Sequence, residues 1–335
     1  MRRRDVVAAM LSLGAVVPLG ACEQQTGRTE RAAKTWRIGL LLTGVTEEAV
    51  LRQRQVIVER LAQQGFVEGR NLQVEMRRAG HSPAEDAGAI LPLVALQPDA
   101  ILVDTSLVAT RTREATRTIP IVFTGVANPV GAGLIKDFAR PGGNATGVHF
   151  SQVEIGAKRL ELLRELLPQA RRVMVVRYLA GGEIDTLPHL RDAASRLGLE
   201  IVEIATAWTG FHAPPASSVY GKVDAIYNGE PWIYSGAAHV VDQIIRYAAE
   251  LRIPSLFWEA EAAERGATVA YGVNMTRELD RAADQLARVL KGAEPGSLPV
   301  DTSTEYELVV NRKAAAALGV EIPGSILARA NRVIG

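Results

Sequence analysis

Short apolar runs of strand length alternate with helical periodicity along this chain, and that alternation limits its fold more than any other feature. Arg37 to Leu42, Leu72 to Arg77, Ala100 to Val103 and Ile119 to Phe123 each read as a strand. A helix is predicted from about Glu47 to Gln64, with Leu51, Val58 and Leu61 among its apolar positions, and a second from Ser82, as cap, to Leu96. A third runs from Asp104-Thr105-Ser106 to Arg117. Continuous apolar strands in a βαβαβαβ order predict a parallel sheet covered by helices on both faces.

The second half repeats the grammar. Helices are predicted over 152–167, 188–197 and 236–251, and strands over 172–177, 200–204 and 225–227. Then Ile253-Pro254-Ser255-Leu256-Phe257-Trp258 echoes Ile119-Pro120-Ile121-Val122-Phe123-Thr124 at the same place in the β/α order. Two similar lobes follow from that echo. Between the halves, Thr124-Gly125-Val126-Ala127-Asn128-Pro129 exposes backbone at a strand's carboxyl end, where open α/β sheets bind ligands. A short helix over 132–138 and the breaker Arg140-Pro141-Gly142-Gly143-Asn144 lead into a new extended segment. This passage serves equally as a hinge between lobes or as an ordinary βαβ connection with a tight turn.

At 335 residues, 47% of them hydrophobic, the chain can bury the cores of two domains. A net charge of +1 gives no reason to expect nucleic acid, which asks for a basic face. The N-terminus reads as a targeting segment: Arg2-Arg3-Arg4 is a basic leader and Val6 to Leu19 a short apolar stretch. Leu19-Gly20-Ala21-Cys22 looks like a bacterial lipobox, with the Cys22 thiol as the atom to be lipidated; the alternative is a plain signal peptide with a chance cysteine. The arginines leave both general and twin-arginine export open. Residues 1–22 are thus expected to be a signal peptide and 23–35 a tether. Cys22 is the sole cysteine, which removes internal disulfides and cysteine metal clusters.

No motif for catalysis stands at its required spacing. There is no G-x-S-x-G, P-loop or H-E-x-x-H, and Gly131-Ala132-Gly133 lacks the third glycine of a dinucleotide loop. His81, His149, His189, His212 and His239 are scattered and read as surface or turn residues. Neither a cofactor nor a metal is expected.

Several longer motifs carry a family likeness. Gly65-Phe66-Val67-Glu68-Gly69-Arg70-Asn71-Leu72, Ile119-Pro120-Ile121-Val122-Phe123 and Arg140-Pro141-Gly142-Gly143-Asn144-Ala145-Thr146-Gly147-Val148 are three of them. Lys158-Arg159-Leu160-Glu161-Leu162-Leu163, Glu307-Leu308-Val309-Val310-Asn311 and the tail from Leu318-Gly319 to Ile322-Pro323 complete the set. With these motifs the chain resembles, from Trp36 to Val333, the bacterial ABC-transporter substrate-binding proteins whose better-known members bind tryptophan or tyrosine. The resemblance implies two doubly wound parallel-sheet lobes of the type I periplasmic-binding kind, with a ligand cleft and hinge crossings near 146–147, 272–273 and 300–301. It assigns 36–147 plus 274–300 to lobe one and 148–273 plus 301–335 to lobe two.

It also implies an exported, membrane-anchored lipoprotein that captures a small polar solute and delivers it to an ABC permease and its ATPase subunits. A sensing protein that docks on a membrane receptor, or an exported α/β enzyme, are the alternatives. The expected site is the set of strand-end loops: Thr43, Gly44, Thr105, Ser106, Gly125, Asn128, Asn228 and Glu230. Glu230 is the expected acceptor for a ligand ammonium, while Thr43, Thr105 and Ser106 either hold a carboxylate or cap helices. Trp232, Trp258 and Tyr271 either stack on a ligand or pack within the lobe. Relatives commonly carry Asp where this chain has Asn128, a different loop at Asp104-Thr105-Ser106 and an aspartate loop at Asn228-Gly229-Glu230, so specificity is expected to differ.

Overall fold

A computed structural model of the chain describes residues 34–79, 83–126, 128–178, 187–207, 209–230 and 235–335. Cys22, His81, Ser82 and Trp232 therefore lie outside the described residues. Thr35–Gly335 forms one compact unit.

The unit begins β1 (Trp36–Thr43), α1 (Glu47–Gln63), β2 (Leu72–Ala79), α2 (Pro83–Ala95), β3 (Ala100–Val103), α3 (Ser106–Ala115), β4 (Ile121–Phe123) and β5 (Ala145–His149). It continues α4 (Gln152–Leu166), β6 (Arg172–Tyr178), α5 (Leu187–Arg196), β7 (Glu200–Thr206), α6 (Ala216–Val219), β8 (Ala225–Asn228), α7 (Ala238–Leu251) and β9 (Ser255–Phe257). The last part is α8 (Ala260–Glu264), β10 (Val269–Gly272), α9 (Met275–Leu290), β11 (Asp301–Thr302), β12 (Glu307–Asn311), α10 (Arg312–Ala317), α11 (Gly324–Arg329) and β13 (Arg332–Ile334).

The strands form two sheets, ordered β11-β5-β4-β3-β1-β2 and β13-β12-β10-β9-β8-β6-β7. Every pair is parallel except β10 with β12. Counted from β2 and from β7, the echoing segments become β4 and β9, the fourth strand of each sheet. The repeated hexapeptide thus marks equivalent places in two similar sheets, as expected.

Successive strand residues point to opposite faces, and both faces are apolar. In the first sheet Leu40, Leu42, Leu102 and Val122 pack with Ile57 and Leu61 of α1 and Leu279 and Leu286 of α9. Their neighbours Leu41, Ile101, Val103 and Phe123 pack with Leu93 of α2 and Val108 of α3 on the other side. The second sheet divides the same way, Val173, Val175 and Leu256 on one face and Met174, Val176 and Phe257 on the other.

Some expectations change. Residues 132–138 form turns instead of a helix, because Leu134 and Ile135 both donate to the carbonyl of Pro129 and Gly131 donates to the Asn128 side chain. β5 runs on to His149, and β11 pairs with Val148 and His149, so the first sheet extends past the crossings expected at 146–147 and 300–301. His149 is no surface residue: it is buried, its Nδ1 lies 2.9 Å from the Val126 carbonyl, and burial pushes its pKa down. Leu51 of α1 faces solvent, since the core-facing positions are Ala49, Val50, Gln53, Ile57 and Leu61.

Candidate functional site

Right-handed crossovers put the loops that follow parallel strands at the carboxyl edge of each sheet. In the first sheet these loops follow Thr43, Val103 and Phe123; in the second they follow Asn228 and Phe257. The two edges touch. Val45 N–H donates to the Ser235 carbonyl at 2.6 Å, and Thr46, whose hydroxyl caps α1 by accepting from Ala49, lies against Gly236. Gly236 has a φ of +87°, and a Cβ there would sit 2.6 Å from Thr46 Oγ1. Glycine permits both the turn and the close approach. Sequence reasoning did not pick out this clasp between lobes.

On the first sheet, Thr43 ends β1 and Gly44 is buried against Val50. Thr105 is the residue before α3 and makes no capping side-chain bond, while Ser106 is buried as the helix's first residue. Gly125 approaches so closely that a Cβ would meet the Asp104 carbonyl at 2.5 Å. Asn128 is exposed and its Oδ1 accepts from Gly131 N–H at 2.8 Å. The loops therefore bring Thr43, Asp104 and Gly125 together, with Asn128 set outward in its own turn.

Asp104 is the residue that sequence reasoning passed over. Its Oδ2 accepts from Thr43 N–H at 2.8 Å and from the Thr43 hydroxyl at 3.0 Å. The side chain is buried, and its Oδ1 has no hydrogen-bond partner among the described residues. Burial pushes the carboxyl up to about 7, against the opposing effect of the two Thr43 bonds. Gln53, at a core-facing position of α1, donates from Nε2 to the Thr43 carbonyl at 3.0 Å, and its Oε1 is also buried without a partner among the described residues. The detectable signal was a glutamine at helical spacing among Ala49, Ile57 and Leu61. Thr124 Oγ1, one strand beyond Asp104, is likewise unpartnered among them.

On the second sheet, Asn228 is fully buried and its Nδ2 donates to the Glu230 carbonyl at 3.2 Å. Glu230 is half-buried at the end of that loop. Trp258 is 2% exposed: Phe150 meets it edge-on at 5.3 Å and the Arg159 guanidinium lies over it at 4.7 Å. Tyr271 is half-buried beside Tyr306, with ring centroids 5.8 Å apart. Both rings thus have protein neighbours. A cavity of about 530 Å³ opens beside the clasp, with Gln53 and Glu59 of α1, Glu259 and Glu261 at α8, Asn274 and Glu307 on its walls. Among the described residues no cluster of side chains fits a metal, and no helix is long and apolar enough to cross a membrane.

The model of the family described as ABC transporter substrate binding protein matches residues 41–334. A tyrosine-binding protein of Clostridioides difficile is 26% identical over 274 residues, covering 81% of this chain and 77% of the relative. Among solved structures, a conserved domain protein from Vibrio cholerae superposes with a TM-score of 0.77 at 29% identity, covering 90% of this chain and 100% of that one. A Streptococcus pneumonia ABC domain in complex with L-Trp gives a TM-score of 0.75 at 24% identity, again over 90% and 100% of the two chains, and supports the fold.

Proposed function

The chain belongs to the ABC transporter substrate-binding protein family, and from that premise we propose that it captures an amino acid or closely related small polar solute between its two sheets for delivery to an ABC permease and its ATPase subunits. The observation that carries this reading is the clasp from Val45 to Ser235, which joins the carboxyl edges of both sheets around the loops where α/β sheets bind ligands. The amino-acid class is supported by the tyrosine-binding relative and by the polar groups at the strand ends. A zwitterion needs an acceptor for its ammonium and donors for its carboxylate, and the facing loops offer hydroxyls, amides and carboxylates for both.

A thermal-shift screen of amino acids, purines, polyols and carboxylates tests the reading, because a solute that binds only the folded state raises apparent stability by mass action. At a concentration 100 times Kd the gain is about 2.7 kcal/mol. Stabilisation by an amino acid is the expected result; response to polyols alone would move the ligand to another class.

The same reading includes export and lipidation at Cys22 within Leu19-Gly20-Ala21-Cys22. Acyl chains anchor through burial of about 0.8 kcal/mol per CH₂, so the mature protein should fractionate with membranes and Cys22→Ala should release it or block processing. Wild-type protein found wholly in the soluble fraction would contradict the anchor.

A further inference from the structure

We propose that the hydrogen-bonded cluster of Thr43, Gln53 and Asp104 is a subsite for hydrogen-bond donors, which takes the protonated amine of the bound solute on the first sheet. The inference rests on the solute-binding reading above and deepens it by fixing which end of the solute each lobe meets.

Both donors of Thr43 are already engaged. Its N–H is used by Asp104 Oδ2 at 2.8 Å, and its single hydroxyl proton by the same oxygen at 3.0 Å. Its carbonyl is used by Gln53 Nε2 at 3.0 Å. With Asp104 ionised, what Thr43 has left is a hydroxyl lone pair, so it can accept and cannot donate. Around it, once Asp104 is ionised, stand two more acceptors, Asp104 Oδ1 and Gln53 Oε1. They belong to residues only 4% and 2% exposed, and neither oxygen has a partner among the described residues. A buried acceptor left unmatched is unfavourable, and two on side chains both bonded to Thr43 call for a group rich in donors.

An ammonium has three donors and no acceptor, which is the complement of this set. Against the ionised Asp104, a carboxylate would find no donor on Thr43 and would meet a like charge. That reverses the expectation that Thr43 holds the ligand carboxylate, and it moves the amine from Glu230 on the second sheet to the first. Thr124 Oγ1, buried next to Asp104, can accept from an ammonium or donate to a carboxylate. The long-range field agrees in sign. Gln53 also lines the 530 Å³ cavity, whose ionisable walls among the described residues are Glu59, Glu259, Glu261 and Glu307 against Arg52. Burial acts on Asp104 in the direction that a neighbouring cation would offset, so an arriving amine stabilises the ionised carboxylate.

Titration calorimetry on the intact protein tests the assignment with three probes of one scaffold: L-tyrosine, tyramine, which lacks the carboxylate, and 3-(4-hydroxyphenyl)propionate, which lacks the amine. The tryptophan series serves in parallel, with myo-inositol as a neutral polyol. Expected is at least tenfold weaker binding of the des-amino compound than of its parent. Asp104→Asn and Gln53→Met should each weaken amine-bearing probes tenfold or more while shifting the des-amino probe less than twofold. Glu230→Gln should leave the amine preference in place. Either variant is sufficient if the other fails to fold, judged by its melting temperature without ligand. Equal losses for amine-bearing and des-amino probes would reduce Asp104 and Gln53 to structural groups and overturn the proposal. So would an amine preference that disappears with Glu230→Gln, or binding of myo-inositol or of the des-amino acids in preference to every amine. Binding of none of these probes or of the wider screen would remove the solute-binding reading itself, and this assignment with it.

Discussion

Asp104 shows how a single side chain can couple stability to pH. Burial raises its carboxyl to about 7, despite two hydrogen bonds from Thr43 that favour the charged form. The folded state therefore holds a proton that the unfolded chain has released, from the ordinary carboxylate range up to about pH 7. With more protons bound in the folded state, stability falls as pH rises through that window, by an amount on the order of 2–4 kcal/mol. Asp104→Asn removes this titration. Urea unfolding at pH 5, 6.5 and 8 should show the variant gaining on wild type as pH increases; parallel curves at all three values would refute the assignment. Glu278, also raised by burial, adds a slope of the same sign to both proteins, so the comparison must be of differences. Gln53 was legible in sequence as a polar residue on the apolar face of α1. The importance of Asp104 was not, because an aspartate after a strand looks like a loop residue until Thr43, 61 positions earlier, is placed beside it.

At the scale of elements, periodicity and breakers carried most of the fold. The βα order and the Ile-Pro echo place β4 and β9 at matching positions, since apolar runs bounded by turn residues depend little on distant contacts. Residues 132–138 failed as a helix because bonds to the Pro129 carbonyl and the Asn128 side chain outweigh a weak local propensity. The clasp was illegible for a different reason: Val45 and Ser235 are distant in sequence, and a glycine after a serine has no periodic signature. Gly236 makes the clasp testable. Alanine there must adopt a φ of +87° and bring a Cβ within 3.0 Å of Ala49 Cβ. The strain should total about 1–3 kcal/mol, the share from the positive φ being present in every arrangement and the share from the contacts with Thr46 and Ala49 only where the clasp is made. Gly236→Ala should thus lower unliganded stability by about 1 kcal/mol through the backbone and, beyond that, weaken solute binding severalfold by calorimetry. A variant that loses stability but binds as wild type does would show that the turn, not the clasp, requires glycine.

For the whole molecule, the chain passes between its sheets after β5, after β10 and after β11. Three crossings restrict the lobes to bending about a common hinge, and a solute contacting both edges selects the closed arrangement. The clasp offers a way to trap that state. A backbone N···O separation of 2.6 Å between Val45 and Ser235 puts their Cα atoms within the range of about 4.4–6.8 Å that a disulfide spans. Cys22 is the only native cysteine, so Val45→Cys with Ser235→Cys in a Cys22→Ser background can form just one internal bridge. Oxidised in the presence of bound amino acid, the double variant should release it at least tenfold more slowly than the reduced protein. Oxidised before solute is added, it should take up solute at least tenfold more slowly, and dithiothreitol should restore both rates. Release and uptake that ignore the redox state, with the bridge confirmed by mass spectrometry, would mean that solute enters and leaves without parting the lobes at Val45 and Ser235.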